Sequence, residues 1–223
     1  VAAICMALPL HATTVGGGTL GGGIALSSQL VDRGQAVTKA TPILQGLLSW
    51  STPDGWALGV SASAQARTPG RMVEAMGQLS HYWTLSDDWS MQAGAIYYKY
   101  PASSRFFDRS EAGLHWSWRD VLTVGVSATH FTHADHERTR GGADANFHWP
   151  LTDELSLSLG AGVAKSYFDP YPYYRYGHAG LAWTRGAWRI ELDRVAADVK
   201  TPRYWRSRSP EAEPWVATVL WSF

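Results

Sequence analysis

In run after run of this chain, apolar residues alternate with small or polar ones at a period of two. The last run, Pro214–Phe223, shows it plainly. Trp215, Ala217, Val219, Trp221 and Phe223 fall on one face, and Thr218 and Ser222 on the other. Trp56–Ala64 repeats the pattern, with Trp56, Leu58, Val60, Ala62 and Ala64 opposite Ala57, Gly59, Ser61 and Ser63. A period of two is the repeat of an extended strand, because successive side chains point to opposite sides of the pleat. A strand with one oily face and aromatics at its end, repeated around a closed sheet, is what a membrane-spanning barrel requires.

Twelve such runs are predicted: Thr19–Leu30, Thr41–Ser51, Trp56–Ala64, Val73–Thr84, Trp89–Tyr100, Ser110–Trp118, Val121–Phe131, Gly142–Trp149, Leu155–Tyr167, Tyr176–Thr184, Ala187–Val195 and Pro214–Phe223. Tight turns alternate with longer connections between them. Thr52-Pro53-Asp54-Gly55, Ser86-Asp87-Asp88, Arg119-Asp120, Pro150 to Glu154 and Arg185-Gly186 are the tight ones. Val31–Ala40, Gln65–Met72, Pro101–Arg109, Thr132–Gly141, Phe168–Arg175 and Ala196–Glu213 are the long ones. Outer-membrane barrels have an even strand number, short periplasmic turns and longer outer loops. The expected fold is therefore all-β: a twelve-stranded antiparallel transmembrane β-barrel of up-and-down topology, in a Gram-negative outer membrane. The rival is a water-soluble β-sandwich.

Composition narrows the choice. Basic and acidic residues number 19 each, which removes the basic surplus that nucleic-acid binding needs. Mean hydropathy is −0.18, and no run past the N-terminus is apolar enough for a spanning helix. A barrel can be polar on average because only alternate residues touch lipid. Residues 1–12 (VAAICMALPLHA) read as the remnant of a secretory signal peptide, leaving 13–223 as one barrel domain. The sole cysteine, Cys5, falls in that leader, so the mature chain would have no disulfide, no CxxC metal site and no thiol nucleophile.

Aromatic placement supports two rims. Trp50, Trp56, Trp83, Trp89, Trp116, Trp118, Trp149, Trp183, Trp188 and Trp221 cluster at the tight turns, with Phe223 beside the last. Tyr97, Tyr98, Tyr100, Tyr167, Tyr171, Tyr173, Tyr174, Tyr176 and Tyr204 favour the opposite ends. Amphipathic rings collect at both headgroup levels of a membrane. The membrane girdle is assigned to Trp50, Trp56, Trp83, Trp89, Trp118, Trp149, Trp183, Trp188, Trp221 and Phe223.

The other face is polar. Glu74, Gln78, Glu111, His115, Asp144, His148, His178, Arg189, Glu191 and Asp193 are assigned to the lumen wall, with Gln45, Ser49, Ser61, Ser63, Ser80, Ser90, Gln92, Thr123, Ser127, Thr129, Asn146, Ser156 and Ser158. Unpaired charges cost several kcal/mol each in a dry interior, so this set requires water or a packed polar network. Carboxylates outnumber Arg189, which favours cations weakly if the wall is wet. Equally, Arg189 and the histidines could pair with the carboxylates and simply hold the wall together. Twelve strands enclose a narrow bore. No segment is long enough for a separate plug domain, although a loop could fold inward.

Other chemistry is weaker. His130, His133, His136 and Glu137 form the densest ligand group, but a spacing of three alternates faces on a strand, and a solvated loop is the simpler reading. A barrel hydrolase would need a nucleophile beside a histidine; Ser127 and Thr129 share a face that the adjacent His130 does not. The glycines at 16–18 and 21–23 read as a flexible lead-in. Lys200, Arg203, Arg206 and Arg208 could contact lipopolysaccharide phosphates. No catalytic residue, metal or cofactor is assigned.

Two stretches resemble a known family. Ser28-Gln29-Leu30-Val31-Asp32-Arg33-Gly34, then Thr38, Pro42 and Leu44-Gln45-Gly46, is similar to the opening S-D-Y-x-F-R-G … P-x-Q-G of the TorF-like porin family of proteobacteria. Gly94-Ala95-Ile96-Tyr97-Tyr98-Lys99-Tyr100-Pro101, followed by Glu111, resembles that family's G-x-x-Y-Y-x-Y-P … E. Gln29, Leu30 and Asp32 depart from the pattern. The resemblance implies an outer-membrane barrel and a pore, without a substrate or a catalytic residue. The expected function is passive diffusion of small hydrophilic solutes. The alternatives are a non-conducting barrel with a packed polar interior, or a barrel lipid hydrolase. Expected partners are outer-membrane lipid and lipopolysaccharide, small hydrophilic solutes, and the barrel-assembly machinery through the C-terminal strand.

Overall fold

The computed structural model describes residues 13–68, 71–101, 108–132, 139–165, 173–199 and 211–223. Regular structure among them is entirely β. In chain order the strands are β1 (Thr13–Val15), β2 (Gly18–Ser27), β3 (Val31–Asp32), β4 (Gln35–Ala36), β5 (Ile43–Ser51), β6 (Trp56–Gln65), β7 (Met72–Thr84) and β8 (Trp89–Lys99). They continue as β9 (Arg109–Trp118), β10 (Leu122–Phe131), β11 (Arg140–Pro150), β12 (Leu155–Lys165), β13 (Tyr173–Arg185), β14 (Trp188–Ala197) and β15 (Trp215–Ser222).

From β5 to β15 each strand pairs antiparallel with the next, and β2 pairs with both β15 and β5. That double pairing seals the sheet into a twelve-stranded cylinder without a free edge. Closure of this kind satisfies every strand's backbone groups where no water can. At the seam, Ser27 and Thr218 share a 2.9 Å hydroxyl hydrogen bond.

The alternation read from sequence sorts the two faces. Ile24, Leu26, Leu44, Leu48, Leu58, Val60, Leu79, Leu114, Val124, Val126, Leu181, Ile190, Leu192 and Val219 are exposed large apolar side chains on the outer face. The buried residues of the opposite parity include Ser27, Ser63, Glu74, Ser80, Ser90, Thr129 and Ser156. A water-soluble sandwich would bury the first set and expose the second. An outward oily hoop around an inward polar wall is the arrangement of a membrane barrel.

The tight turns lie together at one rim. Gly55 adopts φ +94 and packs against the Tyr82 carbonyl, where a Cβ would come within 2.4 Å. The β9–β10 turn uses Arg119 (φ 49) and Asp120 (φ 58), a left-handed pair in a two-residue hairpin. An ion pair from Arg119 Nε to Asp88 of the neighbouring turn (2.6 Å) holds this conformation in place.

The structure differs from the sequence expectations at several strand ends, where Gln65, Met72, Arg109 and Tyr173 join strands, and more deeply near the N-terminus. The glycines at 16–18 and 21–23 are not a loose lead-in. Gly16 and Gly17 form a left-handed turn that lays β1 against β2, and Gly21 to Gly23 belong to β2 itself. Gly22 packs against the Phe223 ring and the Leu47 carbonyl, each 2.9 Å from where a Cβ would be, so it must lack a side chain. In addition, the segment Val31–Ala40 is not a plain outer loop. It contains the β3–β4 hairpin, which turns inward.

Candidate functional site

The β3–β4 hairpin leaves the wall between β2 and β5. Its turn residues Arg33 (φ 48) and Gly34 (φ 73) form a left-handed pair, closing Val31 on Ala36 and Asp32 on Gln35. At its root the hairpin is greasy: Leu30 and Val37 pack with Ile43 of β5 and Val73 of β7. Gln29 fixes the same root. Its amide donates to the carbonyls of Thr38 (2.7 Å) and Glu211 (2.9 Å), and its side-chain oxygen accepts from the Glu213 N–H (2.8 Å).

At its tip the hairpin is charged. The Arg33 guanidinium pairs with Glu111 of β9 and donates to the Ser127 hydroxyl of β10 (3.2 Å). Asp32 accepts from Arg109 Nη2 at 2.5 Å. Arg109 in turn lies over the Tyr98 ring at 4.2 Å and the Tyr100 ring at 5.5 Å, a cation–π arrangement. Glu111 also accepts from Thr129 (3.3 Å). Gly34 abuts β13 and β14, where a Cβ would fall 2.7 Å from Ala197 Cβ and 2.9 Å from the Ala196 carbonyl. The hairpin therefore starts at one side of the cylinder and touches both the β9–β10 and the β13–β14 walls. It spans the lumen at its outer end.

Burial pushes the Asp32 carboxyl up, but the Arg109 and Arg33 guanidinia beside it outweigh that and hold it below the usual carboxylate range. For Arg33, burial opposes the charge, and Glu111 and Asp32 more than restore it. Both tip residues are thus ionised in the docked hairpin.

The residues expected to line the lumen occupy the inward parity in two tiers. Near the hairpin, Glu74 is buried and Glu111 is engaged by Arg33. Deeper lie Gln78 and His115, then Asp144, which accepts from Asn146 (2.8 Å). His178 shares a hydrogen bond with Ser158 (3.2 Å), and Arg189 pairs with Glu191 at 2.6 Å. Asp193 and His148 complete this tier. Glycines on adjacent strands give these side chains room to lie flat. A Cβ at Gly125 would strike the His115 ring, one at Gly160 the His178 ring, and one at Gly180 the Asp193 carboxylate.

The expected girdle residues occupy the outward parity at the short-turn rim. Trp56 and Trp83 flank His81, with ring centroids 4.6 and 4.3 Å from it. Trp89 pairs in register with Trp118, and Trp188 with Trp221. Trp221 contacts Phe223 at 5.2 Å, and Trp149 stacks on Phe147. Trp50 donates to the Val15 carbonyl, and Trp183 donates to Glu154.

Sequence reasoning missed Arg109, assigned to the end of a loop, and the inward role of Asp32 and Arg33. Arg109 precedes Glu111 by two positions, and that parity alone would have placed both on one face. Two stretches far apart in sequence meet here, one supplying the hairpin and the other Tyr98, Tyr100 and Glu111. Ser127 is engaged by Arg33, while His130 is exposed on the opposite face. His133, His136 and Glu137 lie outside the described residues, as do the 1–12 leader and Lys200, Arg203, Arg206 and Arg208. Among the described residues no cluster of metal-ligating side chains forms.

No family model matches the chain, and no curated protein matches it. Solved structures do resemble it. A KdgM porin superposes with a TM-score of 0.59 at 10% identity, covering 91% of this chain and 99% of that one. A NanC porin superposes at 0.60 and 9% identity, covering 91% and 98%. A second KdgM structure, in complex with disordered oligogalacturonate, superposes at 0.58 and 10% identity. With these outer-membrane porins the chain shares a fold.

Proposed function

We propose that the chain is an outer-membrane porin, passing small hydrophilic solutes by diffusion through a narrow polar lumen. The observation that carries this reading is the hairpin. A barrel that only needed a filled interior could close it with apolar side chains. Here the outer lumen is crossed by a short strap whose tip is held by exchangeable ion pairs, above a wall of Glu74, Gln78, Glu111, His115, Asp144, His148, His178, Arg189, Glu191 and Asp193. Charged groups in that number are supported by water. The likeness in fold to known porins is consistent with this.

The oily hoop faces outer-membrane lipid. The Trp girdle marks its periplasmic boundary, and the opposite rim meets lipopolysaccharide. The C-terminal strand, ending on Phe223, is the segment offered to the barrel-assembly machinery. The TorF-like resemblance fits this assignment. The exposed His130 and the engaged Ser127 give no support to a hydrolase. The test is electrical. Purified chain refolded into a planar bilayer should give discrete ion steps. Silence across a range of salt concentrations would favour the second reading, a stoppered barrel, which the same hairpin supports by blocking the lumen. In that case Asp32→Asn with Arg33→Gln should leave the bilayer silent too.

A further inference from the structure

The tip of the β3–β4 hairpin is bound like a ligand. On the inward face of β9, Arg109 and Glu111 present a cation and an anion two positions apart, about 7 Å along the strand. The hairpin answers with the opposite charges in the matching order. Asp32 takes Arg109 and Arg33 takes Glu111. Arg109 and Glu111 sense each other's charge along the strand, and the ion pairs each makes at this site are with the hairpin tip.

The fit is incomplete on one side. Arg109 Nε is buried and unpartnered, because Asp32 engages only the neighbouring Nη2. A carboxylate approaching the guanidinium edge-on takes both nitrogens at once. Tyr98 and Tyr100, beneath Arg109, and Tyr174 and Tyr176, on the far wall, give the site flat walls.

Two energies decide which part of the hairpin can yield. The root buries Leu30 and Ile43, and full burial of such a side chain is worth about 1.5–3 kcal/mol. The tip's ion pairs gain little net, since desolvation of the charges offsets most of their attraction. Exchanging the tip's two charges for the same two charges on a solute conserves both ion pairs and costs the solute its freedom of motion, whereas pulling out the root also exposes the apolar cluster.

We propose that the Arg109–Glu111 pair on the lumen wall is a binding site for zwitterionic solutes, amino acids or short peptides, whose carboxylate and ammonium displace Asp32 and Arg33 and so swing the hairpin tip aside. This rests on the porin reading and names the solute class for it. A neutral sugar lacks both charges. A simple anion or cation replaces one pair and leaves the other wall charge bare, which costs the desolvation of that group.

The experiment uses the full chain in liposomes, with uptake of glycylglycine compared with that of a neutral polyol of similar size. Preferential entry of the dipeptide by about tenfold is expected, the ratio that one charge-assisted hydrogen bond supplies. Arg109→Gln and Glu111→Gln should each bring the dipeptide-to-polyol uptake ratio down to about one, a ratio that is read within each variant. Replacing both tip charges, Asp32→Asn with Arg33→Gln, should raise entry of both solutes, because the internal competitor is gone. Equal entry of dipeptide and polyol through a conducting wild-type channel overturns the proposal and leaves the porin reading intact. Absence of any conductance overturns both. If a wall variant fails to fold, the wild-type comparison still decides.

Discussion

At the scale of single residues, Gly34 and Asp32 hold the hairpin tip against the walls. Gly34 has φ +73 and no room for a methyl group. Gly34→Ala adds left-handed strain of about 1–2 kcal/mol to a steric clash. The hairpin tip should then undock, and the open-channel current should rise. Asp32 sets the acid limit of docking. Its docked carboxyl is held below the free value of 3.8. A depressed carboxylate stabilises docking above the free value and loses that contribution as pH falls through the docked one. Docking should therefore weaken, and conductance climb, as pH falls below the free value of 3.8, and Asp32→Asn should remove that acid climb. A climb that persists in Asp32→Asn would mean another group controls the tip. Sequence alone could not have placed these residues. Asp32-Arg33-Gly34 reads as a polar turn, and nothing local tells an outward turn from an inward one. Arg109 was hidden for a different reason, since its strand was taken to begin one residue later.

At the scale of the strand, the two-residue period was fully legible, because lipid on one side and water on the other impose it at every position. The β10 strand offers a direct check. Val124 is 37% exposed on the oily face, and Thr123 bonds Ser117 at 2.9 Å on the polar one. Val124→Arg should cost about 2–4 kcal/mol if it lies near the midplane, and Thr123→Arg much less. Unfolding of both variants in lipid vesicles measures the difference. The turn before β10 carries a stability cost that can be relieved. Asp120 holds φ 58 without being glycine. Asp120→Gly should gain up to about 1 kcal/mol, since glycine takes this conformation freely. The same vesicle assay should show the higher urea midpoint. What the strand pattern concealed was the work of its glycines. Those at 21–23 were read as slack chain. They are strand residues, and Phe223, Leu220 and the Leu47 carbonyl occupy the space beside Gly22 and Gly23.

For the whole molecule, closure and polarity were readable, and obstruction was not. Strand count and the antiparallel order follow from the local period and the turn residues. The strap across the lumen depends on contacts between residues 78 and 163 positions apart, Arg33 with Glu111 and Gly34 with Ala197. Such pairings leave no trace in a periodic pattern. The carboxylate surplus of the wall predicts modest cation preference. Reversal potentials in a salt gradient should shift to the cation side, and Glu191→Gln with Asp193→Asn should reduce that shift.

Gln29 anchors the hairpin to Glu211 and Glu213, the residues that lead directly into β15. The strap begins after the first wall strand, yet its mooring is supplied by the final one to be made. During biogenesis the greasy root and the charged tip can find their partners on earlier staves, but the Gln29 mooring is completed only when the last stave arrives. Sealing the wall and locking the strap thus finish together.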